Sequence, residues 1–446
     1  MEGTVQITPI ADPGLGNTSY LVDLGDGSAL VVDPERDPRP YLEAAKQRHL
    51  KIRHVAETHL HADFVSGARE LIAVGASLIA PAAAKLAYPH TPVEDGARVA
   101  MGDLQITVVE TPGHTPEHVA YLLADDDRPR ALFSGGTLME GGVARTDLIS
   151  PDLTVPLTRS AYRSVRRLFD ELPDEVELHP THGAGSFCSA GTVSETGVAT
   201  IGGQRLTHPA LVAASEEAFV TAVLGGLGTF PSYFLTLRPI NQAGPIVYGV
   251  DLPALKPLGV DALDAVRAAG GTIVDARPLA RFGKGHIPGS ISNELRDQFG
   301  TWLGWVLKAD TPVVIVLDAD QDERALVRQA LNVGFENLAG RIDLDGWIAA
   351  GRALNSIDIV DAAHIDPTVP ILDIRQQNEY EAGHVKDAMH VELGALTLIP
   401  TEELPPAVVH CGHGQRAMTA ASLLARSGVE ALAVTTAGPE EIARYR

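Results

Sequence analysis

Glu57-Thr58-His59-Leu60-His61-Ala62-Asp63-Phe64 sets two histidines two residues apart and an aspartate two further on. A β-rich run, Ile52 to Ala56, leads into it, and an apolar helical pattern, Val65 to Val74, leads out. A strand end places alternate side chains on one side, so His59 and His61 can converge on one ion. Asp63 can approach from the following turn. Neutral imidazoles and a carboxylate suit borderline metals such as zinc or ferrous iron. An isolated HxHxD run is equally readable as a surface histidine pair beside a helix cap, so the flanking chain decides.

Upstream, residues 4 to 34 read as a β-meander, with Asn17 to Asp23 and Ala29 to Asp33 joined by the turn Gly25-Asp26-Gly27. Tyr41 to His49 reads as helix. Downstream come strands at Ser77 to Ala80 and Leu104 to Glu110, then the rigid turn Thr111-Pro-Gly-His114-Thr-Pro-Glu-His118. Strands follow at Val119 to Leu123 and Arg130 to Ser134, with Asp125-Asp126-Asp127 as a solvated hairpin turn. A helix over Leu157 to Leu172 and a strand over Glu175 to His179 lead to Pro180-Thr-His182-Gly-Ala-Gly-Ser186. Each of these His-bearing turns follows a strand, which implies two sheets sandwiched by helices. A helix over Ala210 to Leu224 closes this region, and Pro231 to Pro257 reads as a connector.

On these residues the first 245 positions resemble the metallo-β-lactamase fold. The pieces that carry the resemblance are His59-x-His61-x-Asp63, Thr111-Pro-Gly-His114, Phe133-Ser-Gly-Gly136-Thr-Leu, Arg145-Thr-Asp147 and His182-Gly-Ala-Gly-Ser. Arg145-Thr-Asp147 resembles the persulfide dioxygenase branch, which is similar to glyoxalase II in fold but holds one iron. That resemblance implies a metal set drawn from His59, His61, Asp63, His114 and His182, with Arg145 toward the substrate. Two positions depart from the pattern. Phe64 stands where the family has a histidine, and Gly136 stands where it has a ligand aspartate. Losing both argues against two metals. In the iron branch the expected triad of two histidines and one carboxylate is left incomplete at Gly136. Water, a thiolate or another anion can take the vacant place, His59, His61 and His114 can form a three-histidine centre, or the pocket is metal-free. Restoring Gly136→Asp is expected from sequence alone to raise iron occupancy. Cys188, six residues past His182, is placed by the same resemblance near the pocket. It reads either as a persulfide-carrying thiolate or as a packing residue.

Residues 258 to 354 and 355 to 446 look like one unit used twice. Ile273-Val-Asp275-Ala-Arg277 with Gly285-His286-Ile287 parallels Ile371-Leu-Asp373-Ile-Arg375 with Gly383-His384-Val385. Each copy then has a strand, a loop and a helix: Val313 to Leu317 before Glu323 to Asn332, and Ala407 to His410 before Arg416 to Ser427. The second loop is Cys411-Gly412-His413-Gly414-Gln415-Arg416. A sulfur at a helix N-terminus faces free backbone N–H groups and the positive end of the helix dipole, which favours an anionic, nucleophilic form. Gly412 and Gly414 let the backbone curl round it, His413 and Gln415 complete the loop, and Arg416 can add charge. This resembles the rhodanese active loop, with Cys411 as persulfide carrier. The first copy reads Asp318-Ala-Asp-Gln-Asp-Glu-Arg324 there. It has no cysteine, and its carboxylates repel an anionic persulfide, so it is expected to be catalytically silent. Trp302, Trp305 and Trp347 are expected to pack within it.

Bulk properties agree. At 446 residues the chain holds about three domains of ordinary size. Hydrophobic residues make 45% and charged residues 21%, as in globular proteins. The net charge of −22 argues against nucleic-acid partners. No run approaches the ~18 apolar residues of a membrane span. Two cysteines and an N-terminus without an apolar leader lead to the expectation of a reduced, cytoplasmic setting. The fold class is therefore multidomain, α/β and α+β: an N-terminal αββα sandwich followed by two rhodanese-like α/β domains. The whole resembles bacterial fusions of persulfide dioxygenase with tandem rhodaneses. That implies oxidation of a small-thiol persulfide with O₂ to sulfite and transfer of sulfane sulfur by Cys411. Partners implied are a low-molecular-weight thiol persulfide, thiosulfate or sulfite, and a homo-oligomeric assembly. The rival readings are a non-oxidative sulfur carrier for a biosynthetic pathway, with the first domain as scaffold, and a zinc-dependent thioester hydrolase like glyoxalase II. Iron(II) is the favoured ion, zinc the alternative, and the rhodanese part needs none.

Overall fold

Alternation along Asn17–Asp23 sets the plan of the first part of the chain. Tyr20 and Val22 join one core while Leu21, between them, joins another. The next strand, Ser28–Val32, divides in the same way, Leu30 and Val32 to one side and Val31 to the other. A strand buried on both faces is a central layer, so helices must cover its outer side. The computed structural model describes residues 5–183, 185–190, 199–400 and 404–445. Ala184, two residues after His182, lies outside them.

Two compact units result, the first built on Met1–Leu252 and the second on Pro253–Arg446 apart from Asn332–Gly334. In the first, a six-stranded sheet runs Ile7–Asp12, Asn17–Asp23, Ser28–Val32, Lys51–Ala56, Ser77–Pro81, Thr91–Val93. Its first three strands are antiparallel and the rest are parallel. A second six-stranded sheet has the order Ala199–Thr200, Glu177–Pro180, Arg128–Gly135, Val119–Asp125, Leu104–Glu110, Arg98–Met101. Tyr20, Leu30 and Ile79 of one sheet meet Ile106, Tyr121 and Phe133 of the other in the middle layer. Helices Arg39–Gln47 and Ala68–Ala73 cover the first sheet, and Pro151–Glu171 and Glu216–Gly225 the second. This is the expected αββα sandwich. The Asp126 and Asp127 turn has φ of 47° and 62°, the left-handed pair that suits a tight hairpin.

The second unit holds two four-stranded, wholly parallel sheets of identical order. One runs Ile291–Ser292, Thr272–Asp275, Val313–Val316, Leu338–Arg341, and the other Met389–His390, Ile371–Asp373, Ala407–His410, Ala431–Ala433. The duplication extends to side chains. Arg277 forks onto Asp275 and donates to the Gly285 carbonyl at 2.9 Å, and Arg375 forks onto Asp373 and donates to the Gly383 carbonyl at 2.7 Å. Phe282 stacks on His286 as Tyr380 stacks on His384. Among the described residues, no helix is long and apolar enough to cross a membrane.

Three expectations need correction. The stretch 231–257 is not a bare connector, because it contains the helix Phe234–Ala243, which turns Leu237 and Asn241 into the interior. The helix expected over 210–224 is two, Pro209–Val212 and Glu216–Gly225. The Ser215 hydroxyl caps the second by accepting the Ala218 N–H, and the cap's extended backbone cannot continue a helix. In the first copy, register moves the equivalent of Cys411 by one residue. Asp275 pairs with Val316 as Asp373 pairs with His410, so Leu317, not Asp318, occupies the place of Cys411.

Candidate functional site

The strand Lys51–Ala56 ends at the edge of the sandwich and releases the chain into the His59 to Asp63 turn. His59, His61, Asp63, His114 and His182 are all buried there, at 2% exposure or less. The five residues expected to ligate a metal therefore gather in one place. Ligand atoms of His59, His114 and His182 lie within 4.8 Å of one another, as do those of His61, Asp63 and His182.

Their hydrogen bonds fix which atoms are bare. Thr58 Oγ1 donates to Asp33 at 2.7 Å, so His59 Nδ1 must donate to Thr58 Oγ1 at 2.8 Å, leaving His59 Nε2 with its lone pair. Asn17 Nδ2 donates to Asp63 at 2.7 Å, so the Asn17 oxygen accepts from His182 Nδ1 at 3.0 Å. That turns His182 Nε2 to His59 Nε2 at 3.3 Å, where a proton or a cation can sit between the two nitrogens. His114 Nδ1 donates to the Arg145 carbonyl at 2.6 Å, and its Nε2 has no partner. His61 Nε2 donates to Glu57 at 2.9 Å, and its Nδ1 has none. Asp63 Oδ1 is also unpartnered. Beside this nitrogen pair His114 Nε2 and Asp63 Oδ1 are buried without a partner, and a cation lying among them would satisfy both. The donor set fits one metal ion.

Electrostatics agree. Burial, reinforced by the neighbouring imidazoles, holds His59 well below its ordinary value, and burial and His182 push His114 down to about 3. Both stay neutral, as ligands must. Burial alone would lower His61, but Asp33 and Glu57 more than reverse this, to about 10. Burial would raise Asp63, but His182 and His61 hold it below the usual carboxylate range. Neither Asp33 nor Glu57 was singled out in the sequence. No motif marks them, because they act through Thr58 and His61. His118 stacks on His59 with ring centroids 4.8 Å apart, but its nitrogens are taken up by the surrounding loops. Its Nε2 accepts the Gly136 N–H at 3.0 Å and its Nδ1 faces the Thr111 and Thr137 hydroxyls.

The departures from the pattern are built into the walls. Phe64 is fully buried and stacks on His61 with ring centroids 4.2 Å apart. A Cβ at Gly136 would lie 2.8 Å from Ala144 Cβ, 2.9 Å from His114 Cδ2 and 3.1 Å from His182 Cδ2. The aspartate's place is closed, which corrects the expectation that Gly136→Asp raises iron occupancy. The variant must displace His114. We expect it to lower both the melting temperature and the metal content, read by thermal unfolding and elemental analysis.

Arg145 is a clamp in this structure. Its guanidinium forks onto Asp147 at 2.8 Å and donates to the carbonyls of Phe187, Gly228 and Thr229. Asn241 does similar work. It donates to the carbonyls of His61 and Phe64 and accepts from Ser66 N, all at 2.9 Å. Cys188 is buried next to Asp63 and Arg145. Burial, and after it the Asp63 carboxylate, pushes its thiol up, which favours the neutral form over the expected thiolate.

The second centre lies in the other unit. Strand Ala407–His410 ends at Cys411, and helix Gln415–Arg426 begins four residues later. The Gly414 N–H donates to Cys411 Sγ at 3.0 Å. Gly414 has φ of 92°, and a Cβ there would lie 2.4 Å from Thr435 Cα, so only glycine closes this loop. Gly412 and Gln415 are partly exposed and His413 is exposed, which opens the loop to solvent beside a sulfur that is itself 1% exposed. Arg416 departs from expectation. Its guanidinium is clasped by Glu379 at 2.6 and 2.7 Å, and among the described residues it donates no hydrogen bond to the sulfur.

Comparisons with known proteins agree with this division. Residues 12–182 match the family model of the metallo-beta-lactamase superfamily, and residues 260–346 and 356–444 that of the rhodanese-like domain. A hydroxyacylglutathione hydrolase of Methylobacillus flagellatus is 42% identical over 122 residues, 27% of this chain and 46% of that protein. One of Rhodopseudomonas palustris is 33% identical over 186 residues, 41% of this chain and 67% of that protein. The chain thus spans about half to two thirds of these relatives. A crystal structure of a metallo-beta-lactamase from Staphylococcus aureus is similar with a TM-score of 0.66 and 25% identity. It covers 76% of this chain and 99% of its own.

Proposed function

From a chain that belongs to the metallo-β-lactamase superfamily by its first domain and carries two rhodanese-like domains after it, we propose an enzyme of sulfur metabolism that moves sulfane sulfur through Cys411. The observation that carries this reading is the Gly414 N–H aimed at Cys411 Sγ at the head of a twelve-residue helix. Those amides and the helix dipole stabilise a sulfur anion, whether Cys–S⁻ or Cys–S–S⁻. In the transfer, the Cys411 thiolate attacks the outer sulfur of thiosulfate. The S–S bond of the donor breaks, sulfite leaves with the electron pair, and Cys411–S–S⁻ remains. A thiolate acceptor then attacks the outer sulfur, takes it as a persulfide, and returns Cys411 to the thiolate. No oxidant is consumed. Mixing the full chain with thiosulfate, without acceptor, should release about one sulfite per chain and leave the Cys411 peptide one sulfur atom heavier. No release, or release without that mass change, defeats the proposal.

We further propose that the first domain is a persulfide dioxygenase-like centre. His59, His114 and His182 would hold its metal, with His61 and Asp63 beside them. A single iron bound there supplies oxygen activation for turning a thiol persulfide to sulfite. The protein's own part is to keep the imidazoles neutral and oriented through Asp33, Thr58, Glu57 and Asn17, and to exclude bulk water by burial. Sulfite made in this way is the acceptor of the Cys411 reaction run backwards, in which it attacks the outer sulfur of Cys411–S–S⁻ and the Cys411 thiolate leaves, which gives the two activities a common intermediate. The relatives named as hydroxyacylglutathione hydrolases favour a second reading, thioester hydrolysis. Phe64 and the closed wall at Gly136 remove two positions that the resemblance assigns to a two-metal centre, so we rank it below the first.

A further inference from the structure

The transfer loop carries one arginine of its own, and Glu379 holds it. Arg416 also lies under an aromatic ring from the silent copy, its guanidinium carbon 5.3 Å from the centre of Trp302. Trp302 belongs to the helix Phe299–Val306, which is buried over its whole length. The two copies are closely fitted around this point. The Ser422 hydroxyl, on the helix that follows Cys411, accepts the Ser292 N–H at 3.0 Å, and Arg426 donates to the Gly289 carbonyl at 2.9 Å. The Trp305 ring is packed so closely on Gly394 that a Cβ there would lie 2.3 Å from it. The expectation that the tryptophans pack only within the silent domain therefore fails for Trp302 and Trp305.

Between Ser292 and Trp302, both in contact with the second copy, the chain passes through Arg296. It is partly buried; burial lowers it most, the Glu294 carboxylate opposes this, Arg416 acts with burial, and Cys411 and then Asp297 act with Glu294. Its Nη1 donates to Gln298 at 2.6 Å, and among the described residues nothing accepts from its Nε or Nη2. A half-desolvated guanidinium with free N–H groups next to a nucleophilic sulfur is a receptor for an oxyanion, which it can bind through two parallel bonds.

We propose that the silent rhodanese-like domain supplies the anion-binding group of the transfer site: Arg296 receives the sulfonate end of the donor while Cys411 attacks its sulfane sulfur. This rests on the proposed transfer chemistry at Cys411. The silent copy has Leu317 in place of a nucleophile, yet it remains part of the centre. Glu379 fixes Arg416 as a support for the loop and for Trp302, and the donor's charge is met from the other side. The sulfite released leaves from the same guanidinium, so Arg296 acts on binding and release and not on bond breaking.

The test is steady-state transfer from thiosulfate to cyanide with the full chain. Arg296→Gln should raise KM for thiosulfate about 10-fold or more and leave kcat within about 3-fold, since one charge-assisted pair is lost from ground and transition states alike. Arg296→Lys should recover most of the KM because it restores the charge. Unchanged KM in Arg296→Gln overturns the assignment while leaving the Cys411 chemistry standing. So does a fall in kcat that Arg296→Lys does not repair, which would mark a merely structural residue. No turnover in the unsubstituted chain defeats the underlying reading instead, so the two failures are distinguishable.

Discussion

Cys411→Ser should abolish sulfur transfer from thiosulfate, lowering kcat/KM by more than about a thousandfold, the scale on which a lost nucleophile is felt. The hydroxyl is nearly the same size and would still sit at the head of helix Gln415–Arg426, so the fold has no reason to change. What is lost is chemistry. A serine oxygen is protonated at neutral pH, and among the described residues no imidazole or other base is hydrogen-bonded to this position to deprotonate it; the Gly414 N–H that meets the sulfur is a donor. Polarisability goes as well, and with it the ability to accept a sulfane sulfur. The assay is sulfite release or thiocyanate formation, with far-ultraviolet dichroism to confirm folding. Residual turnover above a few per cent would mean that another group carries the sulfur. Cys188, the other cysteine in the sequence, is the one to examine next.

His114→Ala should cut metal occupancy to less than about a tenth, because loss of even a supporting hydrogen bond costs 10–100-fold in affinity at such sites and this removes a ligand. The argument is local. His114 presents an unpartnered Nε2 to the cluster, and its other nitrogen is bound to the Arg145 carbonyl, so the ring is held in one orientation. His59 and His182 would then share the ion with no third imidazole. Transfer through Cys411 should stay within about 2-fold of normal, since the hydrogen-bond and aromatic partners of the Cys411 loop named above all belong to the second unit. Elemental analysis and the thiosulfate assay read the two effects separately. Full metal content in the variant would show that the ion is held by His61, Asp63 and His182 instead. A parallel loss of transfer would show that the two activities are coupled.

Much of this was legible in the residues. Spacing alone gathered His59, His61 and Asp63, and the recurrence of Asp-x-Arg, Gly-His and a strand-loop-helix at two places marked the duplication. Cys411 followed from its place between a buried strand and a helix. These are short-range patterns, and short-range geometry follows from backbone periodicity. The supports were not legible. Asp33, Asn17 and Asn241 reach the histidine cluster from distant segments, and no local spacing encodes such a meeting, while Glu57 lies only four residues before His61 but has no motif to mark it.

The chain's order of residues thus determined by itself that there is one HxHxD turn, one cysteine at a helix start, and a copy without it. Only the folded molecule decided that Arg416 is spent on Glu379, that Arg145 is spent on carbonyls, and that Gly136 has no room for a side chain. A sequence states what a side chain can bond. Whether its donors remain free depends on which carboxylates and carbonyls the fold has already brought within 3 Å of it, and that is a property of the packed structure.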